Sequence, residues 1–373
     1  MIANLIGRLG QNFVFLIIGI IVMPIFYKAI GPENLGLIAY IDSFATLGAI
    51  IAGYGVAKYG TREVSKNLGN EERIFTSLHT LRKVTISAHI FVNIIYFSLY
   101  FILDFNDSEI KTVIFFISFI SLNRNLLNLD WYYEAKGQFK LLSIKNIAVK
   151  VFTVSLLSLI YFYKDDIVFE FYFFTAGYAF ISFFVTYVFF KISFRAVPIK
   201  KCSSKKYFTL IFPTLLLSNS YFLFLQLDKI FLGQVSSIEN GYYAMGERLA
   251  MLIFQVIMTL VVVSLPELGK EYYKKNNEKY YEKLNEVFLL TWIIITPITF
   301  GIWLCSDYLV LYFGGHDFMP ASLIVKQFSI LIFLLSFWRV IASNVFFVTG
   351  NEKKCLFIVI LAGLINFFIK FFL

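Results

Sequence analysis

Eleven long apolar stretches run through this chain, and its Lys and Arg residues cluster in every second gap between them. Charge-free runs such as 9–27, 84–103, 171–190, 207–227 and 287–306 match the ~20 residues that an α-helix needs to cross a hydrocarbon core of ~30 Å. A chain of this kind has no soluble core to build. It folds as helices that satisfy their own backbone polar groups within lipid. The spacing predicts spans at 9–27, 36–57, 84–103, 111–129, 143–163, 168–190, 208–231, 243–265, 286–306, 323–347 and 355–373.

Charge fixes the expected orientation. Arg8, the cluster Lys58 to Lys83, the group Lys136, Lys140 and Lys145, the cluster Lys191 to Lys206, the cluster Lys270 to Lys283, and Lys353 with Lys354 all fall on one side. The other gaps hold only Lys28, Lys111, Lys164 and Lys229. By the positive-inside rule the N-terminus is cytoplasmic. The formal charge of +9 therefore reads as topology, and no nucleic-acid partner is expected. No cleavable signal peptide is read, because 9–27 is too long for an h-region. The three Cys and three His are scattered, which predicts no disulfide framework, no metal site and no cofactor.

The two halves repeat. Glu33-Asn34-Leu35-Gly36 is similar to Ile238-Glu239-Asn240-Gly241, each entering an even-numbered span, and Ala135-Lys136-Gly137-Gln138 is similar to Val348-Thr349-Gly350-Asn351. Six spans separate the copies, so both enter the membrane in the same sense. This predicts two parallel-repeat lobes, 1–197 with six helices and 198–373 with five. By this repeat a counterpart of span 168–190 is missing.

Ionisable groups inside spans are costly and mark cavities or partners. Helical spacing groups Asp42 with Thr46 in span two, Arg124 with Asn128 in span four, Asn146 with Lys150 in span five, Arg248 with Gln255 in span eight, and Ser336 with Arg339 and Ser343 in span ten. Arg124, Lys150 and Arg248 lie near span ends, where snorkelling to headgroups is the competing reading; Arg339 lies deeper. Internal cations that outnumber acids suit an anionic ligand, and guanidinium groups can grip phosphate oxygens bidentately. Arg124, Lys150, Arg248 and Arg339 are thus the expected substrate-binding cations, and Asp42 the expected ion-coupling acid.

Three segments then carry a family resemblance. Gly53-Tyr54-Gly55-Val56-Ala57-Lys58-Tyr59-Gly60-Thr61-Arg62-Glu63 resembles the end of span two in polysaccharide flippases of the multidrug/oligosaccharidyl-lipid/polysaccharide exporter superfamily. Asp130-Trp131-Tyr132-Tyr133-Glu134-Ala135-Lys136-Gly137, followed by Lys145-Asn146, resembles that family's loop after span four. Gln226-Leu227-Asp228-Lys229-Ile230-Phe231-Leu232-Gly233 resembles the start of its second half. The resemblance implies an all-α polytopic membrane protein of the bacterial plasma (inner) membrane. It implies a flippase, not an enzyme, that moves an undecaprenyl-diphosphate-linked O-antigen or capsule repeat unit outward by alternating access. Membrane lipids, a polysaccharide polymerase and chain-length machinery are its implied partners. Family members have twelve or more spans, so eleven spans imply that the last helix is missing. A multidrug or cation antiporter of the same superfamily, and a truncated inactive copy, are the alternatives. The antiporter wants acids in its first span, and span one has none.

Overall fold

The structure, a computed structural model, describes residues 2–372 except 54, 68, 124–125, 127, 139–140 and 152–223. It is all-helical, with no strand among the described residues. In chain order come α1 (Ile2–Gly53), α2 (Val56–Lys66), α3 (Glu71–Ile102), α4 (Glu109–Asn123) and α5 (Asp130–Ala135). Residues 141–151 and 224–235 are also helical. Then follow α6 (Ser237–Tyr273), α7 (Asn277–Gly314), α8 (Ala321–Val340), a π-helical turn over Ile341–Phe347, and α9 (Glu352–Phe372). Among the described residues, four segments are long and apolar enough to cross a membrane by themselves: Val14–Gly53, Glu71–Ile102, Asn277–Gly314 and Ala321–Phe346.

α1 accounts for two of the predicted spans. A straight helix over its 52 residues would be far longer than the bilayer core is thick. Gly31 breaks it, at φ 75° and ψ 167°, a backbone region essentially closed to residues with a Cβ. Pro32 then opens the second segment, where its missing N–H costs nothing. Predicted spans 9–27 and 36–57 are thus joined by a single hinge residue rather than a loop.

Packing divides the chain into two units. Unit 1 holds Met1–Gln11 and Leu37–Val235; unit 2 holds Asn12–Gly36 and Ser236–Leu373. These packing units are not the repeat-defined lobes 1–197 and 198–373, which remain a proposal about symmetry. In unit 1, Gly48 of α1 abuts Val92 of α3 and Leu122 of α4. An aromatic cluster of Tyr40, Phe44, Phe105 and Phe115 fills one end. In unit 2, buried Tyr27 packs on Phe318, which Tyr242 also meets edge-on. Lipid-type side chains point outward, among them Phe91, Ile94 and Phe101 on α3 and Phe300 and Leu304 on α7.

The second pair of similar segments ends in the same local geometry. Gly137 and Gly350 both have φ 72°. The following amides close the same five-back bond, Gln138 N–H to Tyr133 O and Asn351 N–H to Phe346 O, both 2.9 Å. This is the Schellman pattern at a glycine stop. A further equivalence emerges only in three dimensions. α3 and α7 each start after a left-handed residue, Gly69 and Lys275, and each is capped by an Asn, with Asn70 accepting from Arg73 N–H and Asn276 from Lys279 N–H.

The first repeat copies also touch each other, within unit 2. A Cβ on Gly36 would lie 1.6 Å from the Ser237 carbonyl oxygen, and one on Gly241 1.9 Å from the Pro32 carbonyl oxygen. The buried Asn240 side chain donates to the Gly36 carbonyl at 2.8 Å. Gly36→Ala and Gly241→Ala should each destabilise by about 1–3 kcal/mol through overpacking. Their double variant should lose less than the sum, because both act on one contact. Gly31→Ala meets nothing within 4 Å and should cost about 1–3 kcal/mol from backbone strain alone. Gly301→Ala, mid-helix and equally open, is the control that should be neutral or stabilising. Thermal midpoints of the purified protein in nanodiscs check all five variants.

Candidate functional site

Two of the three resemblance segments meet in unit 1. Gly60 on α2 lies against the Trp131 ring of α5, so closely that a Cβ on Gly60 would fall 2.4 Å from that ring. Thr61 donates its hydroxyl to the carbonyls of Ala57 (2.9 Å) and Trp131 (3.3 Å). Behind them Val64, Ile74, Leu78, Leu81, Tyr132 and Leu142 form a buried core. Asn128 Oδ1 accepts from the Asp130 amide at 2.8 Å and so sets the start of α5. Lys145, nearly buried, forms an ion pair with Asp130. Lys136 reaches back to Glu71 at 3.3 Å and lies 4.8 Å from the Tyr132 ring centre. Burial works to lower the Lys136 pKa, but the Tyr132 and Glu71 contacts outweigh it and hold the ammonium above its ordinary value. That contact is therefore complete at neutral pH and is lost only as pH rises through the raised pKa.

These elements enclose a cavity of about 290 Å³, lined by Gly53, Val56 and Ala57, by Leu78, Arg82 and Thr85, and by Asn128, Asp130 and Glu134. One guanidinium faces two carboxylates, so the cavity is of mixed charge. It can hold a dipolar group, and it is not a simple anion pocket. Arg82 escapes the sequence reading because the hydrophobic window puts span three at 84–103. α3 starts at Glu71, so Arg82 lies inside the helix. The signal is present in the apolar residues Ile74, Leu78 and Leu81, which continue the helical period upstream and are buried.

The five expected site residues fall as follows. Arg124 lies outside the described residues. Asp42 is half-buried in unit 1 and accepts from Thr46 at 3.3 Å, in line with the face they share. Lys150 is half-buried in unit 1 on helix 141–151. Arg248 is an exposed residue of unit 2. Arg339 ends α8 in unit 2, half-buried, with its Nε buried and without a hydrogen-bond partner among the described residues. Immediately after it the π-turn begins, a form frequent at functional sites. There the fully buried Asn344 donates to Ser264 Oγ (2.9 Å), and its carbonyl accepts from the Tyr280 hydroxyl (3.0 Å). A second cavity of about 290 Å³, lined by Leu16, Ile20, Leu249, Ile302, Val325 and Ile332 among others, is apolar.

The Asp130–Lys145 pair yields a test of the site's architecture. Asp130→Asn leaves the buried ammonium of Lys145 uncompensated and should lower stability by about 3 kcal/mol. Adding Lys145→Met should recover much of that loss. A double-mutant cycle on thermal midpoints measures it.

The polysaccharide biosynthesis protein family matches residues 3–272, and the MatE family matches residues 212–372. No curated protein sequence is a significant match. Among solved structures, an inward-facing multidrug resistance MATE family transporter of the MOP superfamily is similar with a TM-score of 0.68 and 16% identity, over 94% of this chain and 83% of that one. A MOP superfamily transporter from Pyrococcus furiosus, for which a binding pocket of reversed polarity suggests a different function, gives 0.63 and 16% over 96% and 84%. MATE in a bent conformation gives 0.61 and 17% over 96% and 84%. With the family match spanning most of the sequence and the fold shared along nearly all of it, the chain belongs to the polysaccharide biosynthesis protein family and has the fold of the MOP superfamily transporters.

Proposed function

We propose that this protein is a flippase that carries an undecaprenyl-diphosphate-linked oligosaccharide, an O-antigen or capsule repeat unit, across the bacterial plasma membrane by alternating access. The family match over residues 3–272 carries this reading. The basic gaps between spans support a cytoplasmic N-terminus. On this reading the diphosphate is held by cations inside the spans, of which Arg339 is the best supported. Its buried Nε lacks a partner among the described residues, and a phosphate oxygen would supply one. The apolar cavity of unit 2 suits hydrocarbon and not phosphate or sugar. A polymerase and chain-length machinery would take the product on the far side.

A second reading, a multidrug antiporter, is favoured by the MatE match over 212–372 and by the MATE structural neighbours. It fares less well on charge, because span one lacks the acid that a cation exporter would use.

The test is surface polysaccharide in a bacterium lacking its own flippase and supplied with a matched repeat-unit pathway. The chain should restore polymer. Arg339→Gln should lower it by at least about tenfold, the loss of one charge-assisted contact of about 1.5–3 kcal/mol, with Arg339→Lys keeping part of the activity. Arg124, Lys150 and Arg248, neutralised in turn, should each reduce it while membrane insertion is preserved. Polymer export that survives all four changes would refute the cation assignment.

A further inference from the structure

α3 carries six polar side chains along one face. Arg82, Thr85, His89, Asn93, Tyr96 and Tyr100 follow at steps of three or four residues, which places them within a sector of about 80° of the helix circumference. The opposite face exposes Ile90, Phe91, Ile94 and Phe101. Neighbouring helices meet the polar face with polar groups at successive levels. Arg82 and Thr85 line the mixed-charge cavity. Asn93 and Asn123 exchange two side-chain hydrogen bonds of 2.9 and 3.2 Å. Tyr96 donates to the Phe115 carbonyl at 3.0 Å, and Asp42 and Ser118 lie close enough to act on its hydroxyl. Tyr100 and Thr112 share a hydrogen bond of 3.2 Å near the far end.

His89 lies at the middle of this face and is 1% exposed. Its Nδ1 is 2.8 Å from the Thr85 carbonyl oxygen. A carbonyl can only accept, so Nδ1 carries a hydrogen in both charge states of the ring. The other nitrogen, Nε2, is buried and has no hydrogen-bond partner among the described residues. Buried polar atoms are nearly always paired, and a lone pair on imidazole is the acceptor whose charge changes most readily near neutral pH. The Thr85 bond therefore fixes the ring so that Nε2 alone can gain and lose a proton.

We propose that His89 Nε2 is a proton-binding site in the interior of unit 1, reached from the mixed-charge cavity along the polar face of α3. One proton adds to the Nε2 lone pair to give the imidazolium and leaves from the same atom. No electron moves and no heavy-atom bond changes. The charged groups on the surrounding elements are few. Arg82 is two turns away on α3, and Asp130 and Glu134 face the cavity from α5. α2 brings Arg62 and Glu63, α4 brings Glu109 and Lys111 at its start, and a 3-10 turn over Phe105–Asp107 brings Asp107. Asp42, on the second segment of α1, enters at the level of Tyr96, about two helical turns from His89, and Lys145 lies on helix 141–151, whose Leu142 shares a buried cluster with Leu78 and Leu81 of α3. The imidazole nitrogen also favours a proton over an alkali cation as its ligand, since hard cations take oxygen donors.

Proton binding at His89 stands apart from the cargo. The test is therefore made without cargo, and its outcome is independent of the flippase reading. The full chain, with ring-¹⁵N histidine, is placed in nanodiscs and titrated by NMR. His79→Gln and His316→Gln assign the three histidines, leaving His89 by elimination even if its own variant does not fold. The expected result is a His89 ring with hydrogen on Nδ1 and a bare Nε2 at alkaline pH, converting to the doubly protonated form as pH falls. A His89 signal that keeps its bare Nε2 down to the lowest pH at which the protein stays folded, or that carries its hydrogen on Nε2 at high pH, would overturn the proposal.

Discussion

The contact between Gly36 and Gly241 is the constraint on which much of this fold depends. At both positions a single methyl group would fall inside a carbonyl oxygen of the facing backbone. Two helix starts can approach this closely only because neither residue carries a side chain. Asn240 then closes the contact with a buried hydrogen bond to the Gly36 carbonyl. The two residues are also the ones that the similarity between Glu33-Asn34-Leu35-Gly36 and Ile238-Glu239-Asn240-Gly241 aligns. The hinge at Gly31-Pro32 turns α1 just before that point, which lets residues 12–36 pack with unit 2 while the segment beyond Gly36 packs with unit 1.

Much of the helical framework is legible in sequence because lipid leaves few alternatives. An apolar run of ~20 residues must be a helix, and α6, α7, α8 and α9 all overlie their predicted spans. The repeat glycines are legible too, and Gly137 and Gly350 prove to be the same left-handed stop. Helix ends on the basic side are not. α3 and α7 extend well past the hydrophobic window, to Asn-capped starts at Glu71 and Asn277, because polar helical turns leave no hydropathy signal. That is why Arg82 reads as part of a loop and not of a cavity. Asp130 and Lys145 stand out as two parts of one motif, but their pairing needs the turn at Gly137 to fold helix 141–151 back on α5. Which span cations converge is a question of three dimensions, and spacing along one helix does not answer it.

The two units carry different chemistry. Unit 1 has a cavity with both signs of charge, leading to a polar helix face of amides, hydroxyls and one imidazole. Unit 2 has an apolar cavity and a buried guanidinium nitrogen beside a π-turn. Asn344 links the π-turn to α6 through Ser264 and to α7 through Tyr280, so the wide turn is held by side chains where its backbone pairing is irregular.

Cargo identity is the central claim, and reconstitution addresses it most directly. The purified chain is placed in liposomes with a fluorescent polyprenyl-diphosphate oligosaccharide in the inner leaflet, and the appearance of label at the outer leaflet is followed. Parallel vesicles hold a fluorescent organic cation instead. A flippase should move the glycolipid across at a rate above that of protein-free vesicles and leave the cation inside. Cation efflux with the glycolipid immobile would contradict this and make the protein an antiporter.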